Sequence, residues 1–151
     1  MLQFSRSVAI AAPIETVWAF HARPDILQIV TPPWQPVEIV RREGGLAIGA
    51  ESEFRIWLGP LPVTWLARHQ ACEPLRWFVD EQVVGPMAAW EHRHGFEQIG
   101  PGTMRLTDAI AYALPAGQAT EPLLAQWVEQ RLADMFAYRH RVTRLACERL
   151  G

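Results

Sequence analysis

The sequence predicts an α+β fold, a seven-stranded antiparallel sheet closed by a long C-terminal helix. Three observations carry this expectation. Strand-like segments follow one another through the middle of the chain, each ended by a Gly- or Pro-containing break. Residues 120–150 repeat apolar side chains at helical spacing. Residues Trp90 to Phe96 alternate with period two, with Glu91, Arg93 and then Glu97 on one face and Trp90, His92, His94 and Phe96 on the other.

The elements follow in order. Residues 3–11 read as a strand, with Phe4, Val8 and Ile10 on one parity and Ser5 and Ser7 on the other. Pro13 suits a helix start, and Ile14, Val17, Trp18 and His21 follow at helical spacing. Pro24 opens a second short helix over Asp25–Val30, and Thr31-Pro32-Pro33 ends it because consecutive prolines cannot continue the hydrogen-bond ladder. Six strands are expected near 36–43, 49–58, 62–73, 76–84, 89–99 and 103–114. Their breaks are Gly44-Gly45, Gly59-Pro60, Glu73-Pro74, Gly85-Pro86 and Gly100-Pro101-Gly102, and connections this short imply an antiparallel meander. The last helix carries Leu124, Trp127, Val128, Leu132, Met135, Phe136, Val142 and Ala146 as its apolar stripe, with Arg131 and Arg139 on the same stripe. One sheet with one apolar face needs a cover, and this helix supplies it; the space between them is the default ligand site.

The bulk properties fit a single domain spanning 1–151. The net charge of −2 offers no basic footprint for nucleic acid. The nearest approach to a basic run, Arg139-His140-Arg141 with Arg144, reads as a solvated helix end. Cys72 and Cys147 form no close-spaced pair, which argues against a zinc ribbon or dithiol motif and fits a reducing, cytoplasmic setting. No signal-peptide pattern opens the chain, and no apolar run reaches membrane-spanning length, so membrane insertion is not expected. Seven tryptophans are spread over every segment, as core filler or as walls of an apolar pocket.

Hairpin register can be estimated from the turns. Centring one hairpin on Gly85-Pro86-Met87 sets Asp80 opposite His92 and Phe78 opposite His94. Centring the next on Gly100-Pro101-Gly102 sets His94 opposite Asp108 and Trp90 opposite Tyr112. Both send even-numbered residues inward: Phe78, Asp80 and Gln82, then Met104, Leu106, Asp108, Ile110, Tyr112 and Leu114 beside the histidines. Two Asp–His pairs are therefore expected on the concave face, Asp80 with His92 and Asp108 with His94, with His69 as a further inward candidate beside Asp80.

Four readings are open for this polar group: a self-satisfied structural layer, a patch that orients a ligand, an acid–base catalyst, or a metal site. No metal-ligand motif of short spacing appears, and no metal or cofactor is expected. No activated nucleophile is evident, so the catalytic residues stay open, with His92, His94, Asp80 and Asp108 as candidates. Arg139 either reaches an acid or an anionic head group or extends its stem to the rim. His21, on the apolar side of the first helix, reads as a satisfied histidine.

These residues carry a resemblance. Phe78-Val79-Asp80-Glu81-Gln82, Gly85-Pro86, the alternating Trp90, His92, His94 and Phe96, Asp108, and Tyr112 with Pro115 resemble the SRPBCC ligand-binding proteins of the START-like superfamily. Ala12-Pro13-Ile14-Glu15 with Val17, Trp18, Phe20 and His21, then Thr31-Pro32-Pro33, and Phe136 with Tyr138-Arg139 match the same pattern. The resemblance covers essentially the whole chain. It implies the helix-grip fold of the birch pollen allergen and a hydrophobic cavity between sheet and helix. Relatives of this kind bind lipids, sterols or polyketides, and some are called polyketide cyclases or dehydrases.

The expected function is binding of a small hydrophobic, lipid-like or polyketide-like ligand. The expected ligand-binding residues are Phe78, Asp80, Trp90, His92, His94, Phe96, Leu106, Asp108, Ile110, Tyr112, Trp127, Phe136 and Arg139, with Trp65 added to the wall. The alternative is a cyclase- or dehydratase-type enzyme using an Asp–His pair. A third reading places Trp34 and Trp57 in an exposed interaction patch or a dimer contact, for a monomer or homodimer.

Overall fold

The computed structural model describes residues 1–150. Its elements are β1 (Leu2–Ile10), α1 (Ile14–His21), α2 (Ile26–Val30), β2 (Val37–Glu43), β3 (Glu51–Leu58), β4 (Leu61–Glu73), β5 (Trp77–Val84), β6 (Ala89–Gly100), β7 (Thr103–Ala113), a single 3₁₀ turn at Gly117–Ala119, and α3 (Glu121–Leu150). The seven strands form one antiparallel sheet in the order β1-β7-β6-β5-β4-β3-β2. The segment holding α1 and α2 therefore carries the chain from one sheet edge to the other.

The expected registers are the observed ones. Asp80 pairs with His92 and Phe78 with His94 across β5–β6, while His94 pairs with Asp108 and Trp90 with Tyr112 across β6–β7. Gly102, at φ +61°, supplies the left-handed residue that the tight β6–β7 hairpin needs. Strand β4 slips register between Leu66 and Ala67 and again between His69 and Ala71. Bulges of this kind bend and twist a strand, which helps the sheet curl around α3. The second slip also changes the inward parity. Trp65, Ala67 and His69 face in before it, and Cys72, paired with Phe78, joins the core after it.

The apolar interior divides in two. One cluster joins α1, α2 and the last turns of α3, with Ile10, Val17, Phe20, Phe78, Phe96, Met104 and Cys147. The other joins the middle of α3 to β7 through Ile110, Tyr112, Leu114, Val128, Leu132 and Phe136. The buried stripe of α3 is Val128, Leu132, Phe136, His140, Thr143 and Cys147. It differs from the expected stripe at both ends. Leu124 and Trp127 are exposed, His140, Thr143 and Cys147 continue the buried face, and the expected Val142 and Ala146 are half-buried, with Ala146 packed against the core. The reason is helical phase: steps of four from Val128 through Leu132 and Phe136 lead to His140.

Candidate functional site

Between the sheet and α3 lies a cavity of about 370 Å³. Five of the seven tryptophans (Trp34, Trp57, Trp65, Trp90 and Trp127) line it, with Phe54, Phe78 and Phe136. All five histidines of the chain line it too, together with Asp80, Asp108, Arg42, Arg131 and Arg139. An apolar chamber thus converges on one group of titratable side chains.

Asp108 is the centre of that group. It is 4% exposed and accepts a hydrogen bond from His92 Nε2 at 2.7 Å on one oxygen and from His140 Nε2 at 2.6 Å on the other. Asp80 accepts from His94 Nε2 at 2.9 Å. His94 Nδ1 also lies 3.1 Å from Asp108 Oδ1, close enough for an ion pair but off the hydrogen-bond axis. The rings of His92 and His94 stack at 3.7 Å, and Phe78 stacks on His94 at 4.0 Å.

The hydrogen-bonded pairs therefore differ from the expected ones. Backbone register sets Asp80 opposite His92 and Asp108 opposite His94, but the side chains bond to diagonal neighbours, His94 to Asp80 and His92 to Asp108. Diagonal positions on twisted antiparallel strands are within reach of long side chains, so register alone does not choose between the two sets. The largest correction concerns His140. The Arg139-His140-Arg141 run reads as solvated, yet His140 is 4% exposed and ties α3 to Asp108. Extending the four-residue spacing from Phe136 would have found it.

Most of the expected ligand-binding residues line the cavity: Phe78, Asp80, Trp90, His92, His94, Leu106, Asp108, Trp127, Phe136 and Arg139. Phe96, Ile110 and Tyr112 do not, because they are packed in the core clusters behind the wall. His69 faces inward opposite Asp80 and stacks on Phe78 at 5.2 Å. His21 donates from Nδ1 to Val17 O at 2.8 Å, the satisfied local contact expected of it, and also borders the cavity. Trp34 is 52% exposed at the cavity edge, with its ring against Tyr138 at 5.5 Å. Arg42 enters the site without a sequence signal of its own. It donates to Ser52 Oγ at 3.1 Å and to His21 O at 3.2 Å.

The electrostatics follow from this geometry. Burial disfavours the Asp108 charge, but hydrogen bonds from His140 and His92 and the close approach of His94 overcome it and hold the carboxyl well below the usual range. Asp80 is likewise lowered, its burial outweighed by the His94 hydrogen bond. Burial opposes the charge on His94 as well, yet Asp108 and Asp80 together raise it to about 9. Its stacked neighbour His92 moves the other way, lowered by burial and by the His94 charge. Burial pushes His21 down to about 4. Adjacent imidazoles with opposed shifts are the arrangement an acid–base pair requires. Neutral His92, which must keep its proton on Nε2 to bond Asp108, has Nδ1 as its basic nitrogen.

Asp80, His92 and His94 each offer a ligand atom within 4.8 Å of the others, so they are the residues that could hold a metal ion. The Nε2 atoms of both histidines donate to Asp80 and Asp108, and a metal on those nitrogens would have to displace these bonds. No helix among the described residues is long and apolar enough to cross a membrane.

Residues 10–141 match the sequence profile of the family described as polyketide cyclase / dehydrase and lipid transport. The chain belongs to this family. It is a START-like, SRPBCC protein with the helix-grip fold. The same fold occurs in the Zhui aromatase/cyclase from Streptomyces sp. R1128, at 17% identity and a TM-score of 0.76, over 98% of this chain and 94% of that one. It occurs in a START superfamily protein from Mycobacterium smegmatis, at 15% identity and 0.71, over 99% of both chains. It also occurs in a norcoclaurine synthase point mutant from Thalictrum flavum, at 11% identity and 0.72, over 99% and 96%. At these identities the likeness is one of fold. A comparison with curated proteins gives no match.

Proposed function

We propose that this family member binds a small hydrophobic ligand bearing a polar group in the cavity between sheet and α3. One observation carries the reading. Five buried polar side-chain atoms have no hydrogen-bond partner among the described residues (Arg42 Nε, His69 Nδ1, His94 Nδ1, Arg139 Nε and His140 Nδ1), and all five belong to residues lining this cavity. A folded protein rarely leaves such groups unpaired, because each costs about 1–3 kcal/mol. Their gathering around one aromatic chamber suits a ligand whose apolar body supplies affinity and whose polar group supplies orientation.

Titration with the uncharged dye N-phenyl-1-naphthylamine tests this directly. The five tryptophans at the cavity should transfer excitation to the dye, and Trp90→Ala should weaken binding several-fold. Dye affinity unchanged by Trp90→Ala and by Phe136→Ala would refute the cavity as the site.

A second reading, a cyclase- or dehydratase-type enzyme, is favoured by the opposed shifts of His92 and His94. In it His94 donates a proton from Nδ1 and His92 accepts one at Nδ1. It predicts a bell-shaped rate profile on a polyketide-like carbonyl substrate. Retention of turnover by His94→Gln would exclude it.

A further inference from the structure

We infer that the polar group of the cavity ligand is an oxyanion, a carboxylate or sulfonate, held by the guanidinium of Arg139. The inference rests on the cavity being the ligand site and adds the charge of what enters it.

The arginines of the chain show the contrast. Arg23, Arg41, Arg55, Arg68, Arg76 and Arg105 each pair with a carboxylate at the surface. Apart from Arg42 and Arg139, those without an ion pair among the described residues, Arg6, Arg93, Arg131, Arg141, Arg144 and Arg149, are exposed to water. Arg139 reaches into the cavity and has no ion pair among the described residues. The Phe136 ring lies 5.4 Å from the guanidinium carbon, Asp108 and Asp80 act on the guanidinium only through space, and its Nε is shut off from solvent without a hydrogen bond. Arg42 repeats the pattern across the cavity, with a serine hydroxyl and a backbone carbonyl as acceptors and an unpaired Nε.

The two cavity acids do not fill this role. Both oxygens of Asp108 are engaged by histidines, and Asp80 is bonded to His94. Arg131 is exposed to water at the cavity edge; inside, the two carboxylates are balanced by the guanidiniums of Arg42 and Arg139, and a protonated His94 adds one further positive charge. A single bound anion restores neutrality in a space where unbalanced charge is costly. A planar guanidinium takes an oxyanion through paired N–H donors, whereas a neutral hydroxyl or ketone would leave the charge uncompensated.

Two dyes of similar aromatic body decide the matter. These are 1-anilinonaphthalene-8-sulfonate, which is anionic, and N-phenyl-1-naphthylamine, which is not. Wild-type protein should bind the sulfonate at least about tenfold more tightly, in the range of charge-assisted hydrogen bonds. Arg139→Gln should erase that preference while changing the uncharged dye less than about twofold. Arg139→Lys should keep most of it. Arg144→Gln, an exposed arginine outside the cavity, should change neither dye. Unfolding curves on each variant separate loss of the site from loss of the fold. Equal affinity for the two dyes, or equal loss of both in a folded Arg139→Gln, overturns the oxyanion and leaves the cavity standing. Failure of both dyes to bind wild-type protein overturns the cavity reading and this inference with it.

Discussion

Replacing Asp108 with asparagine keeps the shape and removes the charge at the centre of the polar group. Two costs follow. His94 is raised from 6.5 to about 9 by Asp108 and Asp80 together, a linkage of about 3 kcal/mol, and Asp80 alone retains only part of it. The amide also offers one acceptor oxygen where the carboxylate serves His92 and His140 separately. One buried imidazole N–H then loses its acceptor, at about 1–3 kcal/mol. Because His94 can shed its proton, the total is bounded at about 3–5 kcal/mol near neutral pH, in the range for breaking a buried ion pair. For a chain of this length that lowers Tm by roughly 10 °C. The pH dependence carries a sign. The raised His94 contributes fully below its unfolded value of about 6.5 and loses that contribution as pH rises through about 9. The lowered Asp108 contributes above its ordinary range near 4 and loses its share as pH falls below it. The deficit of Asp108→Asn should therefore be greatest between about pH 5 and 8 and shrink on both sides. Urea unfolding at pH 3.5, 7 and 10 measures it. A loss under about 1 kcal/mol at pH 7, or one that does not vary with pH, would refute the reasoning.

Two further outcomes are expected. His21 folds neutral with its proton affinity lowered to about 4, so its contribution is lost as pH falls from about 6.5 through 4, by about 3 kcal/mol. His21→Gln should flatten the fall in Tm over that interval, measured by calorimetry. Phe136→Ala removes a fully buried ring that touches Phe4 at 5.7 Å and His92 at 5.3 Å. It should cost about 3–5 kcal/mol in urea unfolding.

The sheet was legible because alternation and turn chemistry reinforce each other. The Gly85-Pro86 and Gly100-Pro101-Gly102 breaks lead to the same inward parity for Phe78, His92 and Asp108. Which imidazole takes which carboxylate was not legible, because opposite and diagonal neighbours on a twisted pair are both within reach. His140 was hidden by its flanking arginines: one of them, Arg141, is exposed, and a charge run masks the helical phase that buries the residue between them. Arg42 depends on the path of β2 past α1, a tertiary relation that no local pattern records. The parity of His69 was uncertain in sequence, and the slip between His69 and Ala71 shows why: alternation changes phase at a bulge.

The division of the interior into two apolar clusters makes α3 unevenly anchored. Its last turns are fastened by Cys147 within the cluster that includes α1 and α2, with Thr143 buried one turn before it, whereas Leu123, Leu124 and Trp127 near its start are exposed. Backbone amides along this one helix should thus exchange with deuterated solvent on a gradient. Those of the opening turns should exchange through small, frequent separations from the sheet, and those beyond His140 only when the whole domain comes apart. The cavity would then admit its guest at the loosely held end, without the tightly held end letting go.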